Sequence, residues 1–238
     1  MINLENQENI RCSVVMATYN GEKYIKEQID SILKNMNDCD ELIISDDGST
    51  DNTIKLINEY QDKRIKLING PRKGVKQNFA NAIENATGKY IFLSDQDDIW
   101  MENKMRLVLE EFEKNNVTVV IHDAEVIDEN FKVTIPSFFE HRKSGKGVLK
   151  NIYINTYIGC CMAFDANLKG DVLPIPNDIE MHDQWIGILG EIKGKGSIFL
   201  KEKLIKYRRH SNNVSQMTHY GVFKMIKNRI VLIKNLIK

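Results

Sequence analysis

The chain has 238 residues, 42% of them hydrophobic and 28% charged, with 33 basic and 33 acidic side chains. That length buries a sizeable core as one domain, or as one with a small appendage, and the composition excludes a disordered or fibrous protein. The zero net charge hides an asymmetry: beyond Glu202 the chain carries nine Lys or Arg and no acid, against 24 basic and 33 acidic residues before that point, so an anionic partner is expected at the basic end.

Residues 13–17 are a β-branched strand run that gives way to the loop Thr18-Tyr19-Asn20-Gly21. Apolar residues at helical spacing (Tyr24, Ile25, Ile29, Ile32, Leu33, Met36) predict a helix over 22–36. A second strand over 41–45 closes on Asp46-Asp47-Gly48-Ser49-Thr50-Asp51, where Ser49, Thr50 or Asp51 caps the next helix. A third strand (65–68), a loop (70–74), a helix over 75–86 with Gly88 just past its end, and a fourth strand entering Asp95 complete the regular half. This alternation implies an α/β fold, Rossmann-like, with a mostly parallel central sheet flanked by helices, in which ligands bind beyond the carboxyl ends of the strands. Three polar clusters lie at those ends, at 18–20, 46–47 and 95–98. The second half is less regular. It offers a helix over 101–115, a strand over 117–121 ending at His122-Asp123, and a buried strand over 157–164. A helix opens at His182-Asp183-Gln184-Trp185 and runs to about residue 189, and the last strands are 197–200 and 204–207.

The stretch Tyr90-Ile91-Phe92-Leu93-Ser94-Asp95-Gln96-Asp97-Asp98-Ile99-Trp100 carries the most chemistry. Three carboxylates at the end of a buried strand repel one another, more strongly where water is scarce. No Lys or Arg is nearer in sequence than Lys89 or Lys104. A hard divalent ion, Mg²⁺ or Mn²⁺, sharing its shell with phosphate oxygens fits such ligands; the plain alternative is a polar turn with Asp97 or Asp98 as a helix cap. The four cysteines form no Cys-Xaa-Xaa-Cys pair or Cys/His cluster, which argues against a zinc site or disulfide framework and favours a reducing compartment. The first ten residues show no leader pattern and no apolar run is long enough for a bilayer span, so the expected location is cytoplasmic.

Thr18-Tyr19-Asn20-Gly21, Asp46-Asp47-Gly48-Ser49-Thr50-Asp51, Ser94-Asp95-Gln96-Asp97-Asp98-Ile99-Trp100, His182-Asp183-Gln184-Trp185 and Tyr207-Arg208-Arg209-His210-Ser211-Asn212-Asn213-Val214, in this order, resemble family 2 glycosyltransferases of the GT-A fold. The last three motifs resemble the bacterial surface-polysaccharide branch that includes rhamnosyltransferases. The likeness covers roughly residues 11–215 and implies a GT-A domain over 1–215, followed by a basic helical tail over 216–238. It implies inverting, metal-dependent transfer from a UDP- or dTDP-sugar to a hydroxyl of a saccharide acceptor, free or lipid-linked. By position, Ala17 and Tyr19 would line the base, with Thr18, Asn20, Asp46 and Gln96 in the same nucleotide site, and Asp47 would accept a hydrogen bond from base or ribose. Asp95 would contact ribose or metal, Asp97 would bind the metal, and His210 would complete its shell or touch the diphosphate. Asp183 would be the general base, with Glu180 as the second choice.

Lys76 and Asn78 either reach the nucleotide or sit at a solvated helix start. Arg208 and Arg209 suit phosphate, and Trp100 and Trp185 either stack on sugar faces or pack. In the tail, Val222, Ile226, Ile230, Ile233 and Ile237 share one helical face among basic residues. Such a helix lies on an anionic membrane surface, or packs on the domain or on a second subunit. A nucleotidyltransferase would carry a Gly-rich phosphate loop, which Asn20-Gly21-Glu22-Lys23 is not, and a non-catalytic binding module would not need Asp95, Asp97 and Asp183 together. Nucleic acid is not an expected partner, because aromatic interleaving in the basic tail is thin.

Overall fold

A computed structural model describes residues 11–211, 213 and 222–237. Asn212, Val214 and the boundary expected at 215 lie outside the described residues, as does the side chain of Val222. The regular half follows the sequence pattern: β1 (Cys12–Thr18), α1 (Ile25–Leu33), β2 (Glu41–Asp46), α2 (Thr53–Asn58), β3 (Ile65–Asn69), α3 (Val75–Asn85) and β4 (Tyr90–Ser94). Strands β3, β2, β1 and β4 lie side by side and all parallel, with Thr18 level with Asp46 and Asp46 level with Asn69. That register brings the ends of β1 and β2 out at one edge, with β4 beside them, so the polar loops meet there.

Every residue of β2 and β4 is buried. Helix α1 presents Ile25, Ile29 and Ile32 to the sheet, and α3 presents Phe79, Ala82 and Ile83; each isoleucine and the phenylalanine contributes roughly 1.5–3 kcal/mol by leaving water. Glu41 ties the opposite edge together. Its carboxylate accepts from Ser13 Oγ, Thr87 N and Oγ1, and Lys66 Nζ. Gly88 lies just past the end of α3, whose cap is Ala86; a Cβ on Gly88 would stand 2.5 Å from Ser13 N, so glycine is there to let two backbones touch. One local expectation needs correcting. The cap position of α2 is Asn52, although Asp51 supplies the bond, accepting from Thr53 N at 3.0 Å.

Parallel pairing stops at β4. The second half runs β5 (Ile99–Trp100), α4 (Lys104–Asn115), β6 (Val119–Ile127), β7 (Val133–Ile135), α5 (Phe138–Arg142), α6 (Val148–Tyr153), β8 (Met162–Asp165), α7 (Lys169–Val172), α8 (His182–Ile192), β9 (Ser197–Arg208) and α9 (Val222–Ile237). The sheet continues as β4-β8-β6-β9-β5, with β7 on β6; β8 is antiparallel to both neighbours and β9 is parallel to β6. The expected strand over 117–121 therefore runs on to Ile127, because β9 and β7 supply partners beyond β8. The two expected final strands are one, with its register shifting opposite Asp123. Of the expected strand over 157–164 only the end, from Met162, is paired in the sheet, since Gly159–Cys161 form a 3₁₀ turn. Helix α4 starts at Lys104 because Asn103 takes a left-handed conformation, φ 65°.

Candidate active site

The loop after β1 is shaped by side chains from its neighbours. Gln96 accepts from Tyr19 N at 2.9 Å and donates to Tyr19 O at 3.1 Å, pairing with that backbone as a neighbouring strand would. A Cβ at Gly21 would lie 2.4 Å from the Gln96 amide oxygen and would push that side chain off the Tyr19 backbone. Asn20 is left-handed (φ 49°), donates from its backbone to Ser49 Oγ and accepts from Thr50 N. The Tyr19 ring is 55% exposed and free to meet a ligand. Ala17 is half-buried one residue before the end of β1.

The loop after β2 hangs on Asp46, whose Oδ1 accepts from Gly48 N and Ser49 N and whose Oδ2 accepts from Ser49 Oγ (2.6 Å) and Thr18 Oγ1 (3.1 Å). Asp46 and Thr18 are buried and hold the loop from beneath. Half-buried Asp47 faces outward and accepts from Gly74 N at 2.7 Å. Asn78 is buried and clamps two strands, donating to Thr18 O and Ser45 O. Lys76 donates to the carbonyls of Asn177 and Ile179, which draws the chain before α8 onto α3.

After β4 come the acids. Asp97 Oδ2 lies 2.8 Å from His210 Nε2 and accepts from Asn213 Nδ2 at 3.2 Å, so one carboxylate meets residues 113 and 116 positions away in sequence. Asp98 Oδ1 accepts from Arg208 N, whereas its fully buried Oδ2 has no hydrogen-bond partner. A carboxylate oxygen of Asp98, one of Asp95 and the Cys160 sulfur lie within 4.8 Å of one another. Burial, then the charges of Asp97 and Asp183, push the Asp95 carboxyl up to about 7, with Lys104 pulling the other way. Burial and the charges of Asp97 and Asp95 hold Asp98 well above the carboxylate range. The Cys160 thiol is pushed far up by burial and stays protonated, which makes it a poor metal ligand.

Sequence reasoning missed the resident cation. Lys104 is buried at the start of α4, donates to Cys160 O at 2.9 Å and stands 3.7 Å from the Trp100 ring centroid; burial lowers it to about 8. One ammonium among this many acids leaves the cluster short of positive charge, with a buried oxygen lacking a partner. Asp97 and His210 meet each other, but the donor atoms that converge among the described residues are those of Asp95, Asp98 and Cys160; carboxylate oxygens with an imidazole are a donor chemistry that suits Mg²⁺ or Mn²⁺.

Above the acids, Tyr19, Asn20, Lys23, Tyr24, Gln96 and His210 line a cavity of about 280 Å³. The Tyr24 and His210 rings stack at 4.7 Å, and Lys23 pairs with Glu129. Tyr24 and Lys23 were also missed. A tyrosine in an apolar helical repeat reads as core, and only the chain return through His210 reveals its other face. A second cavity, of about 260 Å³, is lined by Tyr90 and Asp165 at the opposite end of β4, away from the acids.

Asp183 is buried in the first turn of α8 rather than at its cap, which is Met181. Its Oδ1 accepts from Gln184 N at 2.6 Å and Asn155 Nδ2 at 3.2 Å. Burial pushes its carboxyl up to about 6 against those bonds, and its charge reaches Asp95. Glu180 instead accepts from Asn228 on α9. Neighbouring His182 is buried and stacked on Phe79 at 4.2 Å, with neither ring nitrogen hydrogen-bonded.

Three expected ligand contacts are turned inward. Trp100 is buried with Lys104 on its face, and Trp185 is buried with its Nε1 donating to Val172 O, so neither presents a ring to a sugar. Arg208 is buried, donates to Asp97 O and pairs with Glu27; it fixes the acid loop rather than meeting phosphate. Arg209 donates to the Tyr207 hydroxyl at 2.9 Å and remains half-buried.

Residues 13–169 match the family pattern described as Glycosyl transferase family 2. The chain is 37% identical over 119 residues to WfgD of Escherichia coli, a UDP-Glc:alpha-D-GlcNAc-diphosphoundecaprenol beta-1,3-glucosyltransferase; the match spans 50% of this chain and 47% of WfgD. It is 29% identical over 245 residues to the dTDP-rhamnosyl transferase RfbG of Shigella flexneri, spanning 92% of this chain and 79% of RfbG. The fold is that of S. aureus TarS 1–349 in complex with UDP-GlcNAc, with TM-score 0.77 at 17% identity, covering 96% of this chain and 67% of TarS. The chain thus spans about half the length of WfgD and about two thirds of that TarS chain.

Proposed function

The chain belongs to glycosyl transferase family 2, and from that premise we propose that it is an inverting, metal-dependent glycosyltransferase of bacterial surface-polysaccharide synthesis. The donor is a UDP- or dTDP-sugar and the acceptor a saccharide hydroxyl, carried on a lipid as the name of WfgD describes for that relative. The observation that carries this reading is the meeting of Asp97 and His210 beside the cavity lined by Tyr19 and Gln96, with Asp183 electrostatically in touch with Asp95.

The exposed Tyr19 ring and the outward Asp47 take the nucleoside, with Ala17 at its edge and Asp46, Thr18 and Asn78 holding the loops that present them. Lys23 and His210 face the diphosphate from the cavity wall. Asp95, Asp97 and His210 would hold the divalent ion, which as a Lewis acid supplies neutralisation of the leaving diphosphate. Asp183 takes the proton of the acceptor hydroxyl while its oxygen bonds to the anomeric carbon. The bond from that carbon to the diphosphate oxygen breaks with its electron pair, and the configuration inverts. A carboxyl at about 6 suits the task, being ionised near neutral pH and still basic enough to accept a proton. No disulfide joins the four cysteines, which suits a reducing cytoplasmic setting. Among the described residues no helix is long and apolar enough to cross a membrane.

Thermal unfolding with UDP, dTDP or GDP, each with and without Mn²⁺, tests the donor site, since a ligand at a hundred times its Kd adds about 2.7 kcal/mol. One nucleotide should stabilise strongly and only with metal. Asp183→Asn should keep that stabilisation and lose about 10²–10⁴ in transfer rate. If no nucleotide shifts the transition, the reading fails.

A further inference from the structure

We propose that the outward face shared by α6 and α9 seats on an anionic lipid bilayer. It deepens the proposed transfer, on which it rests for its purpose but not for its geometry. Helix α9 docks through one side only: Leu232 is buried, Asn228 donates to Glu180, Asn235 donates to Asp178, and Arg229 donates to Tyr153 O and lies 4.5 Å over the Tyr153 ring. The apolar positions Ile226, Ile230, Ile233 and Ile237, which a helix packing on its own domain would bury, point the other way. They are exposed, together with Phe223 (92%). Spacings of three and four residues from Phe223 to Ile237 place all five on one stripe. Helix α6 extends the stripe sideways with Leu149 at 84% and Tyr153 at 65% exposure, followed by exposed Ile154. A contiguous apolar face of this kind marks an interaction site rather than ordinary surface.

Charge decides the occupant. Lys224, Lys227 and Lys234 are exposed along the stripe, and α9 carries no acid. An apolar stripe edged by lysines matches acyl chains beneath anionic headgroups, each lysine near such a surface contributing about 1 kcal/mol. A second copy seated face to face would set these lysines against their own kind, which opposes pairing. The placement also has a use. Asn155, which donates to Asp183, lies two residues after Tyr153, a reach of about 7 Å along the chain. The candidate base therefore sits at the edge of the lipid-facing surface, where the hydroxyl of a membrane-carried saccharide would arrive.

Flotation of the full chain with phosphatidylcholine vesicles, and with vesicles that also contain phosphatidylglycerol, tests the surface directly. Wild type should float with the anionic vesicles alone. Lys224→Glu/Lys227→Glu/Lys234→Glu should weaken that partition by about a hundredfold, and Phe223→Ser/Ile230→Ser should abolish it. Unchanged melting temperatures and nucleotide-induced stabilisation in both variants show that they are folded. Wild type left at the bottom with both vesicles overturns the proposal, as does equal flotation with both. Concentration-dependent dimerisation abolished by Phe223→Ser/Ile230→Ser, without flotation, also overturns it and assigns the face to a second copy. Because nucleotide stabilisation is read on the same samples, a lost surface and a lost transfer reading remain distinguishable.

Discussion

Two acidic loops leave the same edge of the sheet and are built in opposite ways. After β2, each oxygen of Asp46 accepts two hydrogen bonds, and the donors belong to the loop itself or to Thr18 next door. After β4, one oxygen of buried Asp98 accepts none, and Asp95 is driven up to about 7 by burial and by its acidic neighbours. Lone pairs left unmet in a buried place cost free energy, whereas met ones fix a conformation. The chain therefore completes the first loop by itself, and under the proposed metal-dependent transfer the second is completed by its ligand.

The largest effect should come from Asp97→Asn in the unfinished loop. Transfer should fall about 10²–10³-fold, as loss of Lewis-acid stabilisation worth several kcal/mol implies, while the metal-free melting temperature changes little. Asp46→Ala in the finished loop should do the reverse. Gly48 N and Ser49 N lose their acceptor, for a loss of about 3 kcal/mol and a melting temperature lower by roughly 6–12 °C. Its residual nucleotide binding should still depend on Mn²⁺. If Asp46→Ala removes the metal dependence and Asp97→Asn does not, the two loops have been assigned the wrong way round.

Acid–base behaviour sharpens the same contrast. A carboxyl raised from its ordinary 3.8 to about 7 binds its proton more tightly folded than unfolded, so metal-free stability falls as pH rises from about 4 to 7 and levels off above that. Buried His182, lowered by burial to about 3, pulls oppositely over much of that window, so the useful readout is wild type against Asp95→Asn. The difference between them should grow to a few kcal/mol by pH 7 and shrink when Mn²⁺ is present. Glu41 acts in a separate window. Burial raises its carboxyl, but bonds from Lys66, Ser13 and Thr87 outweigh that and leave it at about 2. The stability it contributes is therefore complete above about 4.5 and is lost as pH falls toward 2. A wild-type curve parallel to that of Asp95→Asn would show that the acids are not frustrated.

The finished and unfinished loops were not equally legible in sequence. Strands β1 to β4 and their helices follow local periodicity, and short parallel units place the polar ends together by rule, so Tyr19, Asp47 and Asp97 stand out beforehand. What escaped depends on contacts between distant residues. Lys104 looks like the opening of a surface helix until β8 and its preceding turn bring Cys160 over it. Arg208 looks like a phosphate ligand until α1 offers Glu27. Trp100 looks like a sugar platform until Lys104 covers its ring. The bulged β9 reads as two strands because residues 201–203 are charged and exposed, although β6 keeps them paired as one. Hydrophobic period reports which residues are buried, but not which buried partner neutralises a charge.

The smallest expected effect discriminates most sharply, because it has the unusual sign. Asp98→Asn keeps the acceptor for Arg208 N and replaces the unpartnered oxygen with an amide NH₂. A carboxyl oxygen of Asp95 lies within 4.8 Å of one of Asp98, so the new amide donor has an acceptor at hand, and Asn cannot give up a proton as the raised Asp98 carboxyl can. Giving that unpartnered buried position a hydrogen bond should stabilise the metal-free protein by about 1 kcal/mol, near the middle of what buried hydrogen bonds contribute, or a rise of roughly 2–4 °C in melting temperature. The same change should weaken Mn²⁺-dependent stabilisation by UDP or dTDP, since the cluster then attracts a cation less. The two measurements must move in opposite directions if the loop after β4 is finished by its ligand. A variant less stable without metal would mean that Asp98 is held by the fold as firmly as Asp46, and the contrast between the loops would collapse.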